Sequence, residues 1–234
     1  MSTKARYENG LLRFYESTTH ETVNVMAPVW QKYDFLGPAL DLTNTFTVRD
    51  TAEGDEALVA DAGNGIIGLS LTATSEAQLA GIDWGDERQF ILERGLNFEA
   101  RFRYSVIPTT GAIVAIGLCG DHNATADTVA ENIWFRSDAS GALKCESDDT
   151  TTDTDDVATG TTLTTSDWVV ARIDCAVPTD IKFYLNGARV AASQTFSHAT
   201  AGLKVQPVAR INKASGTGVG TVELDYIAIW QKRS

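Results

Sequence analysis

Histidine and cysteine are scarce, with three of each in 234 residues. His20, His122 and His198 lie far apart in polar surroundings, so no catalytic triad assembles from sequence neighbours. His20-Glu21 begins a zincin-like motif, but Asn24 stands where the second histidine belongs. Cys119, Cys145 and Cys175 are odd in number and widely spaced in apolar, strand-like contexts. That excludes a zinc site of closely paired ligands and predicts reduced, buried thiols in a protein made in a reducing cytoplasm. Basic residues are also in deficit: 19 lysines and arginines against 31 aspartates and glutamates, for a net charge of −12. Such a surface lacks the basic footprint of a nucleic-acid tracker or an anionic-membrane binder. It suits a self-repelling soluble particle or a protein that collects cations. Long apolar runs are missing too. No stretch is long enough for a membrane helix, and Met1 to Arg13 interposes Lys4, Arg6, Glu8 and Arg13 where a secretory leader would be apolar.

What the chain has is alternation and turn chemistry. Ile181, Phe183 and Leu185 fall on one side of an extended segment, Lys182 and Tyr184 on the other, and Asn186-Gly187 follows. Both residues of Asn-Gly tolerate positive φ, as a type I′ turn requires, so the segment predicts a tight hairpin with one apolar face. A lone hairpin is marginal in water, so that face needs a second sheet to cover it. Asn9-Gly10 and Asn64-Gly65 predict two more hairpins. Leu96 to Val106 alternates without a break, apolar at Leu96, Phe98, Ala100, Phe102, Tyr104 and Val106. Period two over that length is a strand with one dry face. Ala112 to Cys119 is apolar at nearly every position and is expected mid-sheet, covered on both faces. Ser75 to Ala80 reads as a helical turn. Ser147 to Asp156, Ser-Asp-Asp-Thr-Thr-Thr-Asp-Thr-Asp-Asp, reads as an exposed loop. About a dozen short strands with turn residues between them predict an all-β fold: a two-sheet antiparallel jelly-roll sandwich. Residues 1–33 stand apart as an extended N-terminal arm, too aromatic for a disordered tail, and 34–234 form the jelly-roll domain.

Three stretches carry a resemblance: the Phe-Glu-Ala-Arg-Phe-Arg-Tyr strand from Phe98, the Ile-Lys-Phe-Tyr-Leu-Asn-Gly-Ala-Arg-Val hairpin from Ile181, and the closing Val-Glu-Leu-Asp-Tyr-Ile-Ala-Ile-Trp from Val222. In this order they resemble the concanavalin A-like lectin/glucanase jelly roll, which includes laminin-G-like modules. The fold hosts lectins, glycosidases and structural modules, so it does not choose among them. The runs Asp83 to Asp86, Leu96 to Arg101 and Ala214 to Gly220, with the leading arm, are similar to tailed-phage virion proteins of this fold, of the head decoration (cement) type. That resemblance implies a virion structural protein made in the host cytoplasm and seated on the capsid surface. Its partners would be the major capsid protein, copies of itself, or both, in a homo-oligomer such as a trimer. The arm would be the contact device, with Leu11, Leu12, Phe14, Tyr15, Val23, Val25, Val29 and Trp30 leaving water against capsid or neighbours.

The glucanase branch of the fold works with a Glu-x-Asp-x-x-Glu strand, and retaining hydrolysis needs two carboxylates about 5 Å apart. Glu223 and Asp225 begin that pattern, but Ala228 occupies the position of the second glutamate, so no enzyme activity and no catalytic residue is expected; Glu223 and Asp225 read as solvent-facing. Gly63 to Gly68 fits G-x-G-x-x-G, yet the residues after it are strand-like, so it reads as a turn. The alternative to a capsid role is a carbohydrate-binding module of a fibre or receptor-binding protein, with Trp84, Trp134, Trp168 and Tyr184 as stacking candidates. No cofactor is expected. Calcium is the one metal considered, on the acidic run Asp148, Asp149, Asp153, Asp155 and Asp156 or on the loop residues Asp121, Asn123 and Asp127, although the spacing does not follow a calcium-loop frame.

Overall fold

The computed structural model describes residues 2–40 and 45–233. Among these the chain forms β1 (Thr3–Glu8), β2 (Leu11–Glu16), β3 (Thr22–Met26), β4 (Val29–Tyr33), β5 (Thr47–Val48), β6 (Asp55–Leu58), β7 (Ile67–Leu71), β8 (Gln78–Asp83), β9 (Phe90–Ile91) and β10 (Leu96–Val106). It continues with β11 (Ala112–Cys119), β12 (Glu131–Asp138), β13 (Ala142–Asp149), β14 (Asp153–Thr162), β15 (Val169–Cys175), β16 (Lys182–Leu185), β17 (Ala188–Val190), β18 (Lys204–Lys213) and β19 (Gly220–Gln231). Among the described residues helix is confined to two single 3₁₀ turns, Leu92–Arg94 and Ala126–Thr128.

Two eight-stranded antiparallel sheets stack as a sandwich. Sheet I runs β17-β16-β15-β10-β19-β7-β6, with β4 also paired to β19; sheet II runs β14-β13-β12-β11-β18-β8-β5, with β9 also paired to β18. The inward residues of β10, Leu96, Phe98, Ala100, Phe102 and Tyr104, meet Val114, Ile116, Ile133, Phe135 and Ile211 from sheet II in one continuous core. Tyr104 is the only one of that row with a polar end, and its hydroxyl is satisfied across the core by Ser137 Oγ at 2.8 Å. All three cysteines are free and buried. Asn9-Gly10 and Asn186-Gly187 form two-residue turns with φ positive at both residues, whereas Asn64-Gly65, also at positive φ, lies in a longer connection between Leu58 and Ile67.

Three expectations change. Ser75 to Ala80 is no helical turn: Gln78 to Ala80 open β8, because Ala80 and Ile82 bury into the core while their neighbours face outward. The acidic run is no loop but a β13–β14 hairpin, whose turn is held by Asp149 Oδ1 accepting from the Thr151 and Thr152 backbone N–H groups. And Val29 to Tyr33, read as part of the arm, is a strand of sheet I, paired with β19 from Ile227 to Gln231.

The rest of the leading segment, β1 to β3, folds into its own three-stranded sheet. It lies on the outer face of sheet I. Leu11 and Val25 pack there against Tyr226, Ala228 and Trp230. Arg13 donates to Glu99 Oε2 at 2.7 Å, and Glu99 also accepts from the Thr22 N–H, the Thr22 hydroxyl and the Tyr226 hydroxyl, each at 2.8 Å. Glu99 is fully buried, and its burial is made tolerable by the lid's cation and two Thr22 donors together with the Tyr226 hydroxyl of β19. The outer face of sheet II is covered only in part, and a cleft is left beside the covering segment.

Candidate functional site

On sheet II, alternation sends Asn132, Trp134 and Arg136 of β12 outward, and likewise Lys144, Glu146 and Asp148 of β13. The segment after β11 folds back over this face. Arg210 pins it, donating to the carbonyl oxygens of Asn123 and Ala124, both at 2.6 Å. Ala126 and Val129 thereby cap Trp134, Val208, Ala115 and Cys119 in a small second core. Beside this cap lies a cleft of 270 Å³. Its walls are Asp127 and Val129 on the folded-back segment, Asn132 and Arg136 on β12, Glu146 and Asp148 on β13, and Asp153, Asp155 and Asp156 on β14.

The far wall owes its shape to a bulge. Ser147 pairs with Thr154 and Cys145 with Val157, so Asp155 and Asp156 both stand opposite Glu146. Asp156 takes a positive φ, which re-aims the strand, as bulges beside sites do. One step along, Asp148 and Asp153 face each other directly. Like charges in that position repel. Arg136 answers part of the charge, donating from Nε to Asp138 at 2.8 Å and from Nη1 to Glu146 at 3.2 Å, while Nη2 reaches Asp127. Lys144 takes Asp138 at 2.8 Å and Asp156 at 3.0 Å.

Two side chains at the bottom of the cleft are 97% buried. Asn132 gives its amide N–H to the Val129 carbonyl at 3.4 Å, while its carbonyl oxygen has no partner. A buried acceptor left unpaired costs roughly 1–3 kcal/mol. Glu146 is pushed up to about 7, chiefly by burial, with Arg136 pulling the other way and Asp155 adding to the rise. Asp155 is raised as well, by burial and by its neighbours Asp153 and Asp156.

Sequence reasoning missed Asn132, Arg136 and Glu146; the polar alternation of β12 against β13 was the signal that could have found them. The aromatic candidates do not come together. Trp134 is fully buried beneath the folded-back segment and has no face for a sugar. Trp84 is half-buried at the core edge against Phe90 and Tyr33, at 5.1 and 6.3 Å. Tyr184 lies on the outer face of sheet I, with Arg172 4.2 Å from its ring centre. Trp168, just before β15, stacks under Arg101 and Arg103 of β10 at 4.5 and 4.8 Å. The acidic run does not gather a metal: among the described residues no three His, Cys, Asp or Glu side chains converge to hold one. Asp149 instead faces away from the cleft and accepts from the Ala199 N–H as well as its own turn.

The arm residues divide. Leu11 and Val25 are buried on their own sandwich, Trp30 packs edge-on to Trp230 at 5.6 Å, and Val29 packs against the main core, so these four are not free to leave water against a neighbour. Leu12, Phe14 and Tyr15 are half-exposed, and Val23 is exposed. Glu223 and Asp225, read as solvent-facing, are buried under Arg103 and Arg101.

No protein-family model matches the chain, and no curated protein matches it in sequence. Solved structures do match in shape. A Shewanella oneidensis protein of unknown function superposes with a TM-score of 0.60 at 13% identity, over 86% of this chain and 84% of its own. A protein from a study of endo-acting O-glycanases of the human gut microbiota gives 0.62 at 10% identity, over 86% and 98%. The carbohydrate recognition domain of Emp46p gives 0.56 at 9% identity, over 86% and 96%. The fold is that of the concanavalin A-like sandwiches. These neighbours include enzymes and lectin domains alike, and at such identities the likeness establishes the concanavalin A-like architecture alone.

Proposed function

We propose that this concanavalin A-like domain binds carbohydrate without cleaving it, and that the cleft on sheet II is where a sugar sits. The polar cleft carries the reading: Asn132, whose buried carbonyl oxygen has no partner, lines it together with Arg136 and six carboxylates. Sugar hydroxyls can donate to such carboxylates and accept from such a guanidinium. Two of the superposing proteins are named for carbohydrate recognition or glycan breakdown, which supports the ligand class. Against hydrolysis stand Ala228, in place of the second glutamate, and the arginines that hold Glu223 and Asp225. The test is a glycan array with the wild type and Asn132→Ala, thermal melts confirming that both fold. Glycan binding that weakens by about tenfold in the variant is expected. Binding to no glycan, or binding indifferent to Asn132, refutes the reading.

A second reading, attachment to a virion through the leading sheet, has its own observation. Tyr7, Leu12 and Met26 pair across β1, β2 and β3 in one row on the face turned away from sheet I. Tyr7 and Met26 are 76% and 67% exposed, and Val23 nearby is 55% exposed. That row suits contact with a capsid protein or a second copy of the chain. Tyr7→Ser with Met26→Ser leaves the buried face of the sheet intact and is expected to lower occupancy on purified particles. Unchanged occupancy removes this reading.

A further inference from the structure

Resting on the glycan reading, we infer that the cleft selects glycans that carry a free primary amine, that is, hexosamine units lacking their N-acetyl group. The argument is one of charge left over. Six carboxylates line the cleft against a single guanidinium. Arg136 is divided among Asp127, Asp138 and Glu146, and Lys144 between Asp138 and Asp156. Asp148, Asp153 and Asp155 have no cation within ion-pair distance among the described residues. Asp148 and Asp153 even face each other across the β13–β14 ladder.

A neutral sugar would leave that repulsion in place. A metal ion would cancel it, but the carboxylates are spread along two walls and do not converge on one point. An ammonium group cancels charge without demanding a coordination shell, and it brings three donors to a site made almost wholly of acceptors. The cleft volume, 270 Å³, lies just under the usual span of about 300–1,000 Å³ for small-molecule sites. One sugar ring fits it. An acetyl group on the nitrogen would remove the charge and place a methyl group among carboxylates.

The experiment is calorimetric titration of the full chain with four probes: a fully de-N-acetylated glucosamine trimer, the N-acetylglucosamine trimer, cellotriose and spermidine. The amine trimer is expected to bind at least about tenfold more tightly than either other sugar and than spermidine. Asp153→Asn with Asp155→Asn removes two charges at exposed positions; it is expected to leave the melting temperature within a few degrees and to abolish the preference for the amine trimer over cellotriose. Equal affinity for the amine trimer and cellotriose overturns the amine inference while glycan binding stands. Spermidine binding with no sugar binding overturns the inference and the glycan reading together. A preference that survives the double variant shows that the amine is read elsewhere, and also overturns the inference.

Discussion

Glu146 is a carboxylic acid held near neutrality at the bottom of a cleft, and that has a thermodynamic signature. Its ordinary value is 4.5 and the folded one is about 7. Below pH 4.5 the group is protonated in both states. Between about 4.5 and about 7 the unfolded chain ionises while the folded one holds its proton, so stability falls as pH rises through that window. At about 1.4 kcal/mol per pH unit the loss totals about 3 kcal/mol, and above pH 7 it stops growing. Glu146→Gln has no such window. Urea unfolding of both proteins from pH 4 to 8 is expected to show the stability difference between them changing by that amount, in the variant's favour as pH rises; parallel curves would contradict it. The comparison is needed because His198 works in the opposite direction. Burial lowers its pKa, so its share of stability is lost as pH drops below the unfolded value of 6.5. Arg13 makes the complementary case. Arg13→Met leaves Glu99 buried with donors but no adjacent guanidinium, and the expected loss is about 3–5 kcal/mol in denaturant titration. Adding Glu99→Leu is expected to return much of that, since no buried charge remains; a single variant as stable as wild type would show that Glu99 does not depend on this pair.

At the scale of elements, the leading sheet is a lid on sheet I. Removing residues 2–28 would uncover Glu99, Tyr226, Ala228 and Trp230 at once, so the remainder is expected to melt at a lower temperature and to bind a hydrophobic dye. A truncated chain with the wild-type midpoint and no dye binding would mean that the sandwich stands without its lid. That lid also explains what was legible. The Asn-Gly turns and the strict alternation from Leu96 to Val106 are local signals, and they located their hairpins and the central strand β10 correctly. Whether Leu11 faces a neighbour or its own sandwich is decided by Tyr226 and Trp230, over two hundred residues away, and no local pattern records that. β8 was missed because its outward neighbours are also buried, so its alternation vanishes from the sequence. The acidic hairpin was missed because aspartate-rich strands contradict β propensity. That same contradiction, a ladder of like charges kept in register by a bulge, is what makes the cleft a candidate site. Alternation along β12 places Asn132 on the outer face, but its unpaired carbonyl oxygen is visible only once its surroundings are known.

For the molecule as a whole, β19 is the closing piece. It is hydrogen-bonded to β10 along one side and to β7 and β4 end to end along the other, and its Tyr226, Ala228 and Trp230 floor the leading sheet. Val222, Leu224, Ile227 and Ile229 from the same strand are fully buried in the main core. Its partners come from residues 29–33, 67–71 and 96–106, so almost every contact it makes spans more than a hundred residues, and loop closure for the whole sandwich waits on it. A chain ending at Gly218 therefore lacks the strand that joins sheet I into one piece and gives the lid its seat. Such a chain is expected to show no cooperative thermal transition, and the full-length protein to refold on the slow side, in milliseconds to seconds, as non-local β topologies do. A sharp melt from the shortened chain would mean that β10, β7 and β4 can hold together without β19, and the assignment of β19 as the keystone of both layers would have to be given up.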